Sequence, residues 1–305
     1  MIPFLLTMLI FAGKYASMIY LLLAITASTL ILVSFKIFEK LGIDSFTAIT
    51  MNYLIGTVFG FNSIHWDIEF TGIYTQPWFP YSALTGLILI TGFVLFSLSA
   101  QKAGIAITAI SSRMAVIISV ITGILIFGDK AGIAKSAGVV IAIVAFYLTF
   151  KKGKTERPGL FLLLLPLAVF LFMGLNDVIL KTTQYFIIGN RDEKEMVRYA
   201  ATSFLFGFLL GFPALVFRHF RMHKQIQIRG MVAGILLGLL NWFSTFYLLK
   251  GLGVMEVSVF IPLLNISVVT LSSLIGYFIF REKLNASNLI GILLAVIAIF
   301  LIAKG

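Results

Sequence analysis

Long apolar runs recur along the whole chain, and they constrain its fold more than any other feature. An α-helix needs about 20 mainly apolar residues to cross the ~30 Å hydrocarbon core of a bilayer. A chain of 305 residues that is 60% hydrophobic and 11% charged has too much apolar surface for a water-soluble fold. We therefore predict an all-α membrane protein with ten transmembrane helices, at residues 18–38, 45–62, 79–101, 105–127, 133–150, 159–182, 196–217, 230–250, 255–280 and 287–303.

The charge balance and the reactive residues exclude several classes of function. The 23 Lys and Arg outnumber the 12 Asp and Glu, which in a soluble protein would suggest nucleic acid. The basic residues lie between the apolar runs, as expected for loops at an anionic membrane surface, so we predict no nucleic-acid partner. Cysteine is absent, and the three histidines, His65, His219 and His223, lie in or beside loops. We therefore predict no metal site and no cofactor.

The first seventeen residues do not resemble a signal peptide. Met1 to Phe11 is apolar with no basic residue before it, and Lys14 then interrupts the run before it reaches a spanning length. We interpret residues 1–17 as an N-terminal extension or an upstream start, with Met18 beginning the working chain.

The two halves of the chain resemble each other. Residues 127–130 read Phe-Gly-Asp-Lys and are followed by Gly138, and residues 280–283 read Phe-Arg-Glu-Lys and are followed by Gly291. Both glycines come eleven residues after the phenylalanine. We interpret the two acidic-Lys turns as points where helices stop at the membrane interface.

A further similarity links Val33–Lys36 to Val178–Lys181, at the ends of the first and sixth runs. The polar stretch 151–158 separates the halves, which predicts five-helix repeats over 18–150 and 158–303. Five is an odd number, so the second half enters the membrane from the opposite side. Inverted repeats of this kind are common in secondary transporters.

This arrangement resembles the EamA-type transporters of the drug/metabolite transporter superfamily. The resemblance covers about Met18 to Ala303 and rests on the two five-helix halves and their acidic-Lys turns. It implies a secondary transporter, not an enzyme, that exports, takes up or exchanges a small metabolite across the cell (inner) membrane, with proton coupling left open. The fourth run lacks the Pro that relatives often carry, whereas the ninth has Pro262, so we expect the fourth helix to be straighter.

Four ionisable residues inside predicted spans are candidates for a functional role, because a charge there costs at least ~2.5 kcal/mol and needs a partner or a use. They are Arg113, Asp177, Lys181 and Glu256. The guanidinium of Arg113 could hold a carboxylate or phosphate in two hydrogen bonds, which favours an anionic or zwitterionic substrate. The alternative is a buried ion pair with Asp177 or Glu256 that only joins the two halves.

Asp177, with Asn176 beside it, is a candidate to bind substrate or a coupled proton. Alternatively it pairs with Lys181, four residues along the same helix face. Glu256 opens the ninth run, where a carboxylate benefits from the helix dipole, and it is the second candidate for ion coupling.

Uncharged polar residues complete the predicted substrate site. Asn241, Trp242 and Ser244 place an amide, an indole and a hydroxyl within one turn, and Asn265 lies in the ninth run. For any single Asn or Ser the alternative is an interhelical hydrogen bond, worth ~0.6 kcal/mol on average in a membrane.

The alternative function is a membrane-embedded enzyme acting on a lipid or small polar substrate, for which His65 with Asp67 and Glu69 is the one sequence signal. The expected partners are a small-molecule substrate and the bilayer, with a homodimer left open. The orientation of the termini also stays open, because the positive-inside rule favours both outside while many relatives have both in the cytoplasm.

Overall fold

The computed structural model describes residues 2–65, 70–127, 132–150, 160–188, 193–223, 225, 227–252, 257–282 and 284–304. All regular structure within these ranges is helical, and no strand occurs among them. The helices are α1 (Ile2–Leu41), α2 (Ser45–Ser63), α3 (Phe70–Ile73), α4 (Phe79–Lys102), α5 (Ile105–Met114), α6 (Val116–Phe127), α7 (Ile133–Phe150), α8 (Leu160–Thr182), α9 (Glu193–Met222), α10 (Ile228–Leu252), α11 (Val257–Phe278) and α12 (Ala286–Lys304). A π-helical turn, Thr183–Ile188, follows α8 directly.

Each predicted apolar run coincides with a helix, and the fourth is divided between α5 and α6. Six helical segments are long and apolar enough to cross a bilayer: Met18–Leu41, Phe79–Lys102, Ile105–Ile126, Leu164–Ile188, Lys194–Met222 and Ile228–Leu248. Three shorter apolar helical segments lie at Ile133–Ala145, Leu263–Phe278 and Ala286–Ile302. The chain is therefore a multi-pass membrane protein. Residues 2–17 continue the first helix without a break at Lys14, and the polar stretch 151–158 lies outside the described residues.

The expectation of a straighter fourth helix is wrong. α5 ends at Met114 and α6 begins at Val116, so this helix is interrupted at Ala115. In contrast, α11 runs unbroken from Val257 to Phe278 although it contains Pro262. Membrane helices tolerate proline because neighbouring groups can satisfy the freed backbone atoms. The break therefore lies in the first half, two residues after Arg113.

Small residues bring α7 and α12 close together. A Cβ added at Gly138 would come within 2.8 Å of the backbone nitrogen of Ile302. Four alanines complete the contact, and all four are fully buried: Ala142, Ala145, Ala295 and Ala298. Such residues let helix backbones approach in lipid, where dispersion forces and hydrogen bonds drive association. Each alanine of α7 is 153 positions before one of α12, the spacing that also separates Gly138 from Gly291.

Helices α2 and α9 meet in a reciprocal contact. A Cβ added at Gly56 would lie 3.0 Å from the ring of Phe204, and one added at Gly207 would lie 3.0 Å from the ring of Tyr53. Gly56 precedes Gly207 by 151 positions, and Tyr53 precedes Phe204 by the same 151. One turn further along, the same spacing relates two more close contacts, Gly60–Ala201 and Gly211–Thr50.

The neighbouring helices repeat this correspondence. Gly86 of α4 lies against α9, where an added Cβ would be 2.6 Å from the Cβ of Phe206. Gly238 of α10 lies against α2, where an added Cβ would be 2.7 Å from the Cβ of Ile55. Phe206 and Ile55 are again 151 positions apart, so α4 packs on α9 as α10 packs on α2.

We call the end of the bundle at which α1 and α4 finish the Asp44 end, and the opposite end, at which α4 begins, the Trp78 end. At the Asp44 end, Arg218 Nη2 donates to Asp44 Oδ1 at 3.0 Å, and the Asp44 carboxylate also caps α2 by accepting from the Thr47 N–H at 3.1 Å. Burial alone would raise the pKa of Asp44, but the hydrogen bonds from Thr47 and Arg218 outweigh it and hold this pKa below its usual value. The end therefore carries a fixed charge pair between α9 and the turn before α2.

Glu282 joins the α11–α12 turn to the start of α5. Its carboxylate accepts hydrogen bonds from the backbone N–H of Ile105 at 2.7 Å and of Ala106 at 3.3 Å. Burial raises the pKa of Glu282 above its usual range despite these bonds. The sequence predicted only that a helix stops here, so this cap was missed. Lys283 and the corresponding pair Asp129 and Lys130 lie outside the described residues.

Candidate substrate site

Arg113 and Asn265 are hydrogen-bonded in the middle of the bundle. Arg113 Nη1 donates to Asn265 Oδ1 at 3.0 Å, and both side chains are half-buried. Arg113 is the ninth residue of the 22-residue segment Ile105–Ile126, and Asn265 is the ninth of the 22 residues of α11. The bond therefore joins α5 to α11 at matching depth, close to the middle of each helix.

Asp177 lies at similar depth on α8. The segment Leu164–Ile188 has 25 residues, and Asp177 is near its midpoint. Its Oδ2 accepts a hydrogen bond from Ser119 Oγ of α6 at 3.4 Å, and Asn176 also bonds to the carboxylate. The Asp177 side chain is exposed, although helix α8 packs on α4, α5 and α6.

The charges of Arg113 and Asp177 act on each other without direct contact. Each charge favours the ionised form of the other. Among the residues that the structure describes, however, the two side chains form no ion pair, and the i, i+4 pairing of Asp177 with Lys181 does not form either. The arrangement thus places a cation and an anion at similar depth with no direct bond between them.

A second polar cluster joins α10 to α1 and α2. Asn241 Nδ2 donates to Asn52 Oδ1 at 3.1 Å, and the hydroxyls of Ser244 and Ser28 are 2.7 Å apart. Trp242 packs on the ring of Phe59, with ring centroids 5.9 Å apart. These are interhelical contacts, the alternative considered for single polar residues. The role of Asn241, Trp242 and Ser244 in substrate binding stays a prediction.

The corresponding contact in the other half is apolar. Ser28 precedes Met173 by 145 positions, the same spacing as Lys36 and Lys181, and Gly92 precedes Ser244 by 152. A Cβ added at Gly92 would touch Met173 at 3.5 Å, so Gly92 and Met173 face each other as Ser244 and Ser28 do. Helix packing at this position therefore does not require polar side chains. The polar pair Ser28 and Ser244 occurs in one half only, so helix packing alone does not explain it. The buried Nδ2 of Asn52 also lacks an acceptor in the described part of the chain.

Of the predicted site residues, the structure brings Arg113, Asn176, Asp177 and Asn265 together and puts Asn241, Trp242 and Ser244 in the second cluster. Glu256 lies outside the described residues. Ser119 was missed by the sequence analysis, and the sequence offered only a weak signal for it, since it is one of two hydroxyl residues, with Thr122, in the apolar run of α6. Within the described ranges no group of three or more histidine or acidic residues could hold a metal ion.

Comparison with known proteins agrees with the fold. A crystal structure that is 14% identical in sequence matches with a TM-score of 0.59 over 94% of this chain and 96% of the other. An uncharacterized protein of Haemophilus influenzae is 26% identical over 289 residues, which covers 92% of this chain and 96% of the relative. Residues 157–304 match the model of the EamA-like transporter family.

The matched segment contains α8 to α12, and so it contains Asp177, Asn265 and the polar residues of α10. The members of this family are membrane transporters. The resemblance to the EamA-like transporter family, a branch of the drug/metabolite transporter superfamily, is therefore confirmed over residues 157–304.

Proposed function

We propose that this chain is a secondary transporter for a small zwitterion that carries both a carboxylate and an amine. The observation that supports the proposal best is the separation of Arg113 and Asp177, which interact at mid-depth but form no ion pair. Each charge costs free energy in a bilayer unless it is paired. A solute with one negative and one positive group compensates both charges at once.

The roles of the residues follow from their chemistry. Arg113 holds the substrate carboxylate in a bidentate pair, and Asn265 fixes the guanidinium through its bond to Nη1. Asp177 receives the substrate amine, with Asn176 and Ser119 holding its carboxylate in place. Asp177 is also the group that would carry a coupled proton. Asn241, Trp242 and Ser244 bind the remainder of the solute.

The architecture proposed for this function is ten membrane-spanning helices in two inverted repeats, over residues 18–150 and 158–303, in the cell (inner) membrane. Its support is the constant spacing between residues that make equivalent contacts: 153 positions for α7 and α12, and 151 for α2 and α9. Two copies of one unit related by a two-fold axis would produce this reciprocity. Arg113 and Asn265, 152 positions apart, then occupy equivalent places beside that axis.

The packing suggests which end is closed. At the Asp44 end, α1 and α4 are sealed by Phe35, whose ring packs on Phe93 and Phe96 at centroid distances of 5.6 and 5.9 Å. Lys36 Nζ adds a hydrogen bond of 2.6 Å to the Gln101 carbonyl. In the described ranges the equivalent pair, α8 and α10, does not pack in this way. We infer that the site opens toward the Trp78 end in this state, and that transport exchanges the two arrangements.

Thermal unfolding of the purified protein tests the substrate class. A ligand at one hundred times its dissociation constant stabilises by ~2.7 kcal/mol. We expect stabilisation by small amino acids and none by their amides, by the deaminated acids or by the decarboxylated amines. Arg113→Gln and Asp177→Asn should each abolish the shift, whereas Lys181→Gln, one turn along α8, should keep it.

Equal shifts with the zwitterion and with an analogue that lacks one charge would contradict the zwitterion site. Equal shifts in wild type, Arg113→Gln and Asp177→Asn would place the substrate elsewhere. The enzyme alternative rests on His65, Asp67 and Glu69, and Asp67 and Glu69 lie outside the described residues.

A further inference from the structure

An apolar groove runs along the outside of the bundle at the Asp44 end, between the last turns of α1 and the first turns of α10. Its volume is about 460 Å³, within the range of small-molecule pockets. The apolar side chains along it include Ile37, Leu41, Ile228, Val232, Ala233 and Leu236. Most of these are exposed, from 40% for Ile37 to 78% for Ile228. In a membrane protein such a surface faces the hydrocarbon.

One charged residue, Arg229, lies among the described residues that line the groove. It is exposed and belongs to the first turn of α10, at the level where the helix leaves the membrane. Ser34, a polar residue on the α1 side, donates its hydroxyl to the Leu30 carbonyl of its own helix at 2.7 Å. The described lining residues include no acidic side chain, so the polar end that they form is positive and the rest of the groove is apolar.

We propose that this groove binds an anionic phospholipid, with one acyl chain along α1 and α10 and the phosphate at Arg229. The match is one of charge and polarity: guanidinium groups bind phosphate oxygens in pairs of hydrogen bonds, and the free N–H groups at a helix N-terminus also favour an anion. The bound lipid joins α1 to α10, the two helices that the Ser28–Ser244 contact connects further inside. This site is separate from the proposed substrate site and does not depend on it.

Lipid titrations of delipidated protein in a neutral detergent test the proposal. The probes are phosphatidylglycerol, phosphatidylcholine with the same acyl chains, and inorganic phosphate, and the readouts are the unfolding temperature and bound lipid counted by native mass spectrometry. Phosphatidylglycerol should bind and raise the unfolding temperature, and the other two should not. A basic residue near an anionic surface contributes about 1 kcal/mol, so Arg229→Gln should weaken apparent binding about fivefold.

Two further variants separate the lipid site from general surface charge. Arg281→Gln removes an exposed charge at the same end of the bundle but outside the groove, and it should leave lipid binding unchanged. Val232→Trp fills the groove and keeps Arg229, and it should weaken binding as Arg229→Gln does. Equal binding by wild type and Arg229→Gln would overturn the proposal, as would equal losses in Arg229→Gln and Arg281→Gln. Full protection by inorganic phosphate alone would show an anion site without a lipid and would overturn it too.

Discussion

Removal of the Glu282 carboxylate should destabilise the protein by more than its position in a turn suggests. The carboxylate caps α5 from the α11–α12 turn, with bonds of 2.7 and 3.3 Å to the N–H groups of Ile105 and Ala106. Two glycines leave room for it, since a Cβ added at Gly104 or Gly276 would lie 2.9 or 2.6 Å from Oε2. The contact thus connects the first half of the chain, through the helix that carries the candidate arginine, to the second.

The magnitude follows from the groups left behind by Glu282→Ala. Ile105 and Ala106 have no exposed surface, so their N–H groups would lose their acceptor without water replacing it. Loss of an N-cap side chain costs about 0.5–2 kcal/mol, and a hydrogen bond to a charged acceptor contributes about 1.5–3 kcal/mol. We expect a loss of about 2 kcal/mol, equivalent to a fall of about 4 °C in unfolding temperature. Glu282→Gln keeps an oxygen acceptor and should cost less than half as much.

Thermal unfolding in detergent measures these effects, with Glu39→Ala as the control. Glu39 bonds Lys36 and Lys102 at 3.0 Å, but these are partly exposed ion pairs worth under ~1 kcal/mol. The reasoning is refuted if Glu282→Ala unfolds within about 1 °C of wild type, or if Glu39→Ala costs as much.

The pH dependence supplies an independent check on Glu282. Its raised pKa means that the Glu282 carboxyl group keeps its proton to a higher pH in the folded state than in the unfolded state. Stability is then lost as pH rises from the usual glutamate value through the raised one. The unfolding temperature of wild type should therefore fall relative to that of Glu282→Gln over that pH interval. A difference between the two that stays constant with pH would contradict the burial of this carboxylate.

Three more predictions follow from the contacts. Gly138→Ala, whose new Cβ would meet backbone at 2.8 Å, should cost about 1–3 kcal/mol of stability in thermal unfolding. Gly92→Ala, whose new Cβ has its neighbours at 3.5 Å, should be tolerated. Equal effects of the two variants would contradict the close α7–α12 contact. Asp44→Asn should lower the free energy of unfolding by about 1 kcal/mol at neutral pH. Because the pKa of Asp44 is lowered in the folded state, this difference from wild type should shrink as pH falls below about 4. A loss that does not change with pH would contradict the ion pair. The double variant Ser28→Cys with Ser244→Cys should form a disulfide in this otherwise cysteine-free chain, and a gel shift under oxidation would report it. The absence of a cross-link would contradict the 2.7 Å contact between α1 and α10.

Helix positions could be predicted from the sequence because the membrane makes hydrophobicity a direct signal. A run of about 20 apolar residues has one stable conformation in lipid, and the predicted runs coincide with helices. The break at Ala115 could not be predicted, because Pro is the usual signal for a kink and this helix has none.

The candidate site was predictable in part for a similar reason. Arg113 and Asp177 are conspicuous because a charge in an apolar run is costly, and the structure places them near each other. Their neighbours were harder to choose. A single Ser or Asn in a span is usually an interhelical bond, so nothing in the sequence separated Ser119, which contacts Asp177, from the other hydroxyl residues.

Transport by the purified protein in proteoliposomes tests the central claim most directly. Vesicles loaded with an unlabelled small amino acid and diluted into the labelled one should accumulate label by exchange, and vesicles with Arg113→Gln or Asp177→Asn should not. Accumulation in wild type and its loss in both variants is the result we predict. Exchange that survives in both variants would contradict the site, and no exchange of any zwitterion by folded wild-type protein would contradict the proposed substrate class.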